Sequence, residues 1–266
     1  MELSRAAVKH HAAEVVRTSA TVLRRLLPVA LIDAWHEAFQ PLLAETVERN
    51  GPTGNRGPCR YYITLPFTAP WADPRVVDND AIMGVVSTLV GPDGAMSQLG
   101  SDTPLRGSED QSLHRDAPIR LPGRPVRVKP SLLAVNIPLV DVTEANGPME
   151  YAPGSQHRTD AEALRRIAAG EMPIERVLME RGDVLIRDVR HLHRGTANPG
   201  APRPVVVIGY QRPFGFRADV GIRVPRATFE ALPERTRRWL RFSPVVESAE
   251  SLEEERSILP PPARAD

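Results

Sequence analysis

Two short runs of the sequence carry side chains from which a metal site can be built. The first is His114-Arg115-Asp116. On an extended segment, residues i and i+2 project to one face, about 6.6 Å apart along the strand. An imidazole nitrogen and a carboxylate oxygen so placed can converge on one cation. Alone the pair is unspecific, because a surface histidine beside an aspartate has the same sequence. The second run is Asp188-Val189-Arg190-His191-Leu192-His193-Arg194-Gly195, with Asn198 and Arg203 downstream. It follows the turn Arg181-Gly182-Asp183 and the apolar run Val184-Leu185-Ile186, so a strand end would deliver one of its histidines from a distant part of the chain. Two histidines and one carboxylate on one side of an ion leave its other positions open. That suits a non-haem Fe(II) centre, which must take a co-substrate and dioxygen together. Arg203, beside Val205-Val206-Val207-Ile208, could pair a dicarboxylate by planar two-point contact. In isolation it reads equally as a surface charge after Pro202.

The remaining candidates are weaker. Asn146-Gly147-Pro148 and Pro153-Gly154-Ser155 are two tight turns around a short strand, Met149 to Ala152, an architectural feature with no obvious chemistry. His10 and His11 belong to a polar helix, and His36 lies between Trp35 and Glu37; all three read as structural or solvent-facing.

Positioning groups so distant in sequence requires a body of short strands. The chain has 27 Pro and 18 Gly in 266 residues, which argues against a bundle of long helices. Residues 61–66, 95–100, 132–140, 183–187 and 204–210 read as strands between Pro/Gly turns. The first 58 residues form a mainly helical layer: Ala6 to Leu26, then Val29 to Val47, which Pro41 should kink or split. A turn-rich connector follows from Asn50. Asp80 to Val90 reads as a short helix capped by Asn79 or Asp80, and Thr228 to Phe242 as a late helix. The tail 248–266, with its Glu and Pro runs, reads as loose. With no internal repeat or linker, 1–266 is expected to be a single domain.

Composition sets the boundaries. Hydrophobic residues make up 41% and charged residues 25%, ordinary for a globular chain with a real core. The net charge of +1 offers no electrostatic footprint for nucleic acid or an anionic membrane. Cys59 is the sole cysteine, so neither an internal disulfide nor a thiolate-rich metal site can form. No apolar signal core opens the chain and no apolar run reaches a membrane-spanning length. The expectation is a soluble, cytoplasmic protein acting on a small molecule.

In order and spacing, these pieces resemble the phytanoyl-CoA dioxygenase family of Fe(II)/2-oxoglutarate-dependent oxygenases. The resemblance rests on Gln111-Ser112-Leu113-His114-Arg115-Asp116 and on Asn136 to Thr143. It continues through Asn146-Gly147-Pro148, Pro153-Gly154-Ser155, Gly182 to Ile186, His193-Arg194-Gly195 and Arg203, spanning about residues 60–212. It implies His114, Asp116 and His193 as iron ligands, and Arg203 as the partner of the distal 2-oxoglutarate carboxylate. Gln111, Arg60 and Gln98 are further co-substrate contacts by the same resemblance. Met149 stands where some members carry a co-substrate-contacting Thr. His193 is preferred to His191 because His-Arg-Gly, Asn198 and Arg203 fit the family spacing; His191 then packs behind or beside the site. Halogenating relatives lack the carboxylate ligand, so the presence of Asp116 implies oxygen transfer.

The implied fold is mainly β with flanking helices: a double-stranded β-helix, or jelly roll, with the metal in its mouth. Residues 50–60, 103–110 and the C-terminal helical part are its expected walls. The implied reaction couples decarboxylation of 2-oxoglutarate by O2 to oxidation, in the first instance hydroxylation, of an unactivated C–H in a small natural-product intermediate. Two alternatives compete: a zinc-dependent jelly-roll hydrolase or isomerase using the same two histidines and aspartate, and a non-catalytic jelly-roll binding protein with a degenerate site.

Overall fold

The computed structural model describes residues 3–117, 129–213 and 222–248. Helix α1 (Arg5–Thr18) starts at Ser4, whose Oγ accepts from the Ala7 N–H, and stops at Ser19 in the left-handed region, φ 80°. The chain then turns into strand β1 (Ala20–Leu23). The single helix expected to reach Leu26 is thus too long by two turns. Ala20, Thr21, Val22 and Leu23 pair antiparallel with a later strand instead, because sheet pairing outweighs local helix propensity, which is high for Ala20 and Leu23 and low for Thr21 and Val22.

Helix α2 (Val29–Asn50) runs through Pro41 without being split. Pro41 and Glu37, four residues earlier, both lie on the exposed side, so the carbonyl that loses its amide partner faces water. Strand β2 (Arg60–Thr64), helix α3 (Pro74–Val77) and helix α4 (Asp80–Val90) follow. As expected, Asn79 caps α4, its Oδ1 accepting from the Ala81 and Ile82 amides. Next come β3 (Ala95–Pro104), β4 (Leu132–Pro138), β5 (Met149–Tyr151), helix α5 (Asp160–Ala168) and β6 (Glu175–Val177). Strands β7 (Val184–Asp188), β8 (His193–Gly195) and β9 (Val205–Gln211) complete the body. A two-residue strand β10 (Val224–Pro225) pairs with β11 (Val245–Val246) around helices α6 (Arg226–Ala231) and α7 (Glu234–Trp239). The one late helix expected over 228–242 is therefore two, divided before Pro233. Beyond Ser248, the tail expected to be loose lies outside the described residues.

The major sheet has the order β1-β7-β4-β9-β3-β2 and the minor sheet β6-β5-β8, every pairing antiparallel. Alternate residues of the major sheet face opposite ways. Leu133, Val135, Ile137, Val184, Ile186, Val206 and Ile208 join the helices in one large apolar core with Ile32, Trp35, Phe39, Ile82 and Val86. Residues of the other face meet the minor sheet: Ala20, Leu185 and Val205 pack against Tyr151, Val177 and Met179. Two antiparallel sheets face to face, with helices behind the larger, make the expected jelly roll. Trp239 of α7 packs under Gly94 and against Tyr210, with the helix-side core. That part of the chain buttresses the outer face and is not the cavity wall it was expected to be.

Candidate metal centre and co-substrate site

His114-Arg115-Asp116 belongs to no named strand, yet its backbone is fixed. His114 and His193 exchange backbone hydrogen bonds, N···O 2.9 Å each way. The Gln111 N–H donates to Gly195 O, and Ser108 bridges Asn198, so this segment runs antiparallel to β8 along the edge of the minor sheet. Residues directly opposed in such a pair present their side chains on one face. The two imidazoles stand with ring centroids 4.5 Å apart, and Asp116 follows two residues later on the same side. Arg115 points the other way and ties the segment down, donating to the Ser155 and Arg158 carbonyls at 3.1 and 3.2 Å.

The ligand atoms of His114, Asp116 and His193 all lie within 4.8 Å of one another, the one such cluster among the described residues. His114 Nε2 is 3.8 Å from Asp116 Oδ1, and His193 Nε2 is 3.4 Å from Asp116 Oδ2. Each Nδ1 donates to a backbone carbonyl two residues upstream, Ser112 O at 2.8 Å and His191 O at 3.1 Å. A carbonyl only accepts, so both rings carry their proton on Nδ1 and offer the Nε2 lone pair to the centre. Burial pushes Asp116 toward protonation, but His193 and Arg187 outweigh it and hold the carboxyl well below the usual range. Burial, with His193 beside it, lowers the pKa of His114, so its ring is a ready ligand. Two imidazoles and an ionised carboxylate fit non-haem Fe(II).

His191 does not join them. It is fully buried, with Nδ1 2.7 Å from Ser19 Oγ and Nε2 3.4 Å from Arg187 Nη1. Arg187 itself, 7% exposed, escaped the sequence reading although a charge at the end of the apolar run Val184 to Ile186 is a visible anomaly. It donates to Asp116 Oδ2 at 2.9 Å and to Asn136 Oδ1 at 3.3 Å.

Of the co-substrate candidates, Arg60 and Gln111 lie against Gly195, two residues along β8 from His193, and Arg203 meets Arg60 at Asp102. Arg60, 1% exposed, lies across Gly195, where an added Cβ would come within 2.4 Å of its Nη1. Its Nη2 donates to Thr196 O at 3.0 Å, and its Nη1 is 3.4 Å from Asp102 Oδ2. Arg203 approaches the same Asp102 oxygen at 3.9 Å, and its buried Nε has no hydrogen-bond partner. Asn198 shapes the loop that delivers Arg203: its Nδ2 donates to the Pro104 and Ala201 carbonyls and its Oδ1 accepts from Gly200. Burial lowers the Arg203 pKa to about 10, opposed by Asp102 and reinforced by Arg60. Two buried guanidiniums thus share one carboxylate, and the orphaned donor suits an incoming anion such as the distal carboxylate of 2-oxoglutarate.

Gln98 packs over Gly209, and its amide donates to Tyr62 OH, which in turn lies over Gly100. Tyr62 is a second residue the sequence reading missed; burial pushes its phenol up to about 12, so it remains a neutral donor. Gln111 Oε1 accepts from the Gly195 N–H at 3.0 Å, which leaves its NH2 as the end that could reach a co-substrate.

Several solved structures share this fold. The non-haem α-ketoglutarate-dependent epimerase SnoN from nogalamycin biosynthesis superposes with a TM-score of 0.61 at 22% identity, covering 80% of this chain and 88% of its own. EctD from S. alaskensis, solved with bound Fe, gives 0.60 at 18% identity over 76% of each chain. HygX from Streptomyces hygroscopicus, solved with nickel and 2-oxoglutarate, gives 0.59 at 14% over 81% of this chain and 90% of its own. The sequence itself matches the phytanoyl-CoA dioxygenase (PhyH) family over residues 20–204, well over half its length. The zinc hydrolase and the non-catalytic binding protein are thereby set aside, and the chain belongs to the phytanoyl-CoA dioxygenase family, whose members are 2-oxoglutarate-dependent non-haem iron oxygenases.

Proposed function

We propose that this oxygenase hydroxylates an unactivated C–H of a small natural-product intermediate, using His114, Asp116 and His193 to hold Fe(II). The observation that carries the reading is the convergence of those three ligand atoms within 4.8 Å, from two segments that share no local sequence. Arg203, with Arg60 beside it, binds the distal carboxylate of 2-oxoglutarate; Gln98, Tyr62 and Gln111 supply neutral contacts nearby. Charge supports that placement, because one added carboxylate balances two guanidiniums that hold only Asp102 between them.

Bound iron, with 2-oxoglutarate and dioxygen, supplies an oxidant able to take hydrogen from an unactivated carbon, with succinate and CO2 as co-products. The protein's own part is placement. The backbone bonds to Nδ1 keep both imidazoles aimed at one point, and the buried arginines orient the dicarboxylate. A natural-product substrate is favoured by SnoN and by the carbocyclase SnoK, which both serve nogalamycin biosynthesis. The test is anaerobic loading with Fe(II) and 2-oxoglutarate, then oxygen and a panel of polyketide- and amino-acid-derived metabolites. Substrate-coupled succinate release with a product 16 mass units heavier (one added oxygen atom, about 16 Da, as hydroxylation requires) supports the reading. An isomeric product of unchanged mass replaces hydroxylation by epimerisation.

A further inference from the structure

Arg187 occupies an unusual place for a buried cation. It stands on β7 between Ala20 of β1 and Ala134 of β4, with Gly209 of β9 next in the same row. These small neighbours leave room for the guanidinium to lie along the inner face, and four polar side chains surround it. Nε donates to Asn136 Oδ1 at 3.3 Å, Nη2 to Asp116 Oδ2 at 2.9 Å, and Nη1 faces two imidazole nitrogens. Those are His191 Nε2 at 3.4 Å and His193 Nε2 at 3.5 Å. Guanidinium has donors only, so His191 must accept at Nε2 and donate from Nδ1 to Ser19 Oγ, 2.7 Å away. His193 Nε2 has one lone pair and cannot serve both a metal and Arg187. His191 is therefore the acceptor that retains Nη1 once His193 turns to the ion.

We propose that Arg187 is the positioning residue of the metal centre, holding Asp116 by Oδ2 so that it ligates through Oδ1 alone, and offsetting its charge so that the ion keeps its full pull on the anionic co-substrate. The inference rests on the metal assignment made above and adds a prediction about signs. A fixed positive charge beside a divalent ion disfavours the ion and favours the anion that follows it. A merely structural Arg187 would, on removal, weaken both.

The test uses the full chain, with Co(II) or Fe(II) under anaerobic conditions and 2-oxoglutarate, read by calorimetry and by the visible spectrum of the metal. Arg187→Met is expected to bind metal as tightly as the parent or several-fold tighter, while 2-oxoglutarate binding to the metal-loaded protein weakens about tenfold. Its spectrum should change as the released Oδ2 becomes free to ligate. Arg187→Lys keeps the charge but cannot span Asn136, His191 and Asp116, so it retains 2-oxoglutarate affinity within about threefold while showing the altered spectrum. Unchanged co-substrate affinity in the folded Met variant, or parallel loss of metal and co-substrate, overturns the proposal. If the Met variant does not fold, a Lys variant with the parent's spectrum overturns it. Failure of the parent itself to bind metal would instead refute the assignment of the centre.

Discussion

At the residue scale, the proposed site separates into a half that would hold the cation and a half that would hold the anion, with different expected losses. Removing any of His114, Asp116 or His193 as alanine takes away one of three donors, and coupled succinate release should fall below detection. Metal titration checks this directly, and His191→Ala should leave stoichiometric metal binding in place, because its Nε2 faces Arg187 and not the common point. Arg203→Met removes a buried donor whose Nε has no protein partner to lose. A hydrogen bond to a charged group is worth about 1.5–3 kcal/mol, so the KM for 2-oxoglutarate should rise by tenfold or more with kcat less affected. Steady-state kinetics at saturating iron measures the split. Equal falls in kcat and kcat/KM, with KM unchanged, would move Arg203 away from the co-substrate.

At the scale of elements, the site depends on what glycine leaves empty in β8. Gly195 shares the inward face with His193, and Arg60 fills the space its missing side chain leaves. Gly195→Ala would set a methyl 2.4 Å from Arg60 Nη1, and the guanidinium would have to leave Thr196 O or Asp102. The expected result is a folded protein with intact metal binding and a raised 2-oxoglutarate KM; a collapse of Tm instead would show that Arg60 cannot move aside. None of this was legible in Gly195 alone, since its reason lies on β2, far away in the sequence. The long apolar strands and the Asn79-capped helix were legible because period and cap are local signals. Strands β6 and β8, three residues each, are too short to show a period. The end of α1 was hidden for another reason: Ser19 takes a left-handed conformation that its sequence does not announce, held by the Val15 carbonyl behind it and His191 in front.

Taken as a whole, the molecule packs helices α1, α2, α4 and α7 on one face of the major sheet and gathers the polar groups of the site on the other. The three proposed ligand residues could be singled out from the order and spacing of short motifs, and the fold brings their side chains together. The charges beneath them could not be, since only the folded sheet brings Arg187, Asn136 and Asp116 together. That buried polar layer should dominate the acid stability of the metal-free protein. Burial holds His191 well below its usual 6.5; His193, Arg187 and Arg115 act in the same direction, and Asp116 alone opposes them. The folded ring thus stays neutral where the unfolded one takes a proton, so stability is whole above about pH 6.5 and declines as pH falls below it. His114 adds a lesser effect of the same sign. Asp116 extends it: its folded carboxyl stays ionised well below the usual 3.8, so its contribution is present above that value and lost as pH falls through the folded one. Chelator-treated protein should therefore show a Tm that is nearly level above neutrality and falls progressively below pH 6.5. His191→Gln keeps an oxygen acceptor for Arg187 but cannot titrate, so its Tm, lower overall, should fall less between pH 6.5 and 5 (a window of about one to two units below the imidazole value). The same slope in both proteins would mean that the imidazole at 191 is already protonated in the fold, and that Arg187 rests on something else.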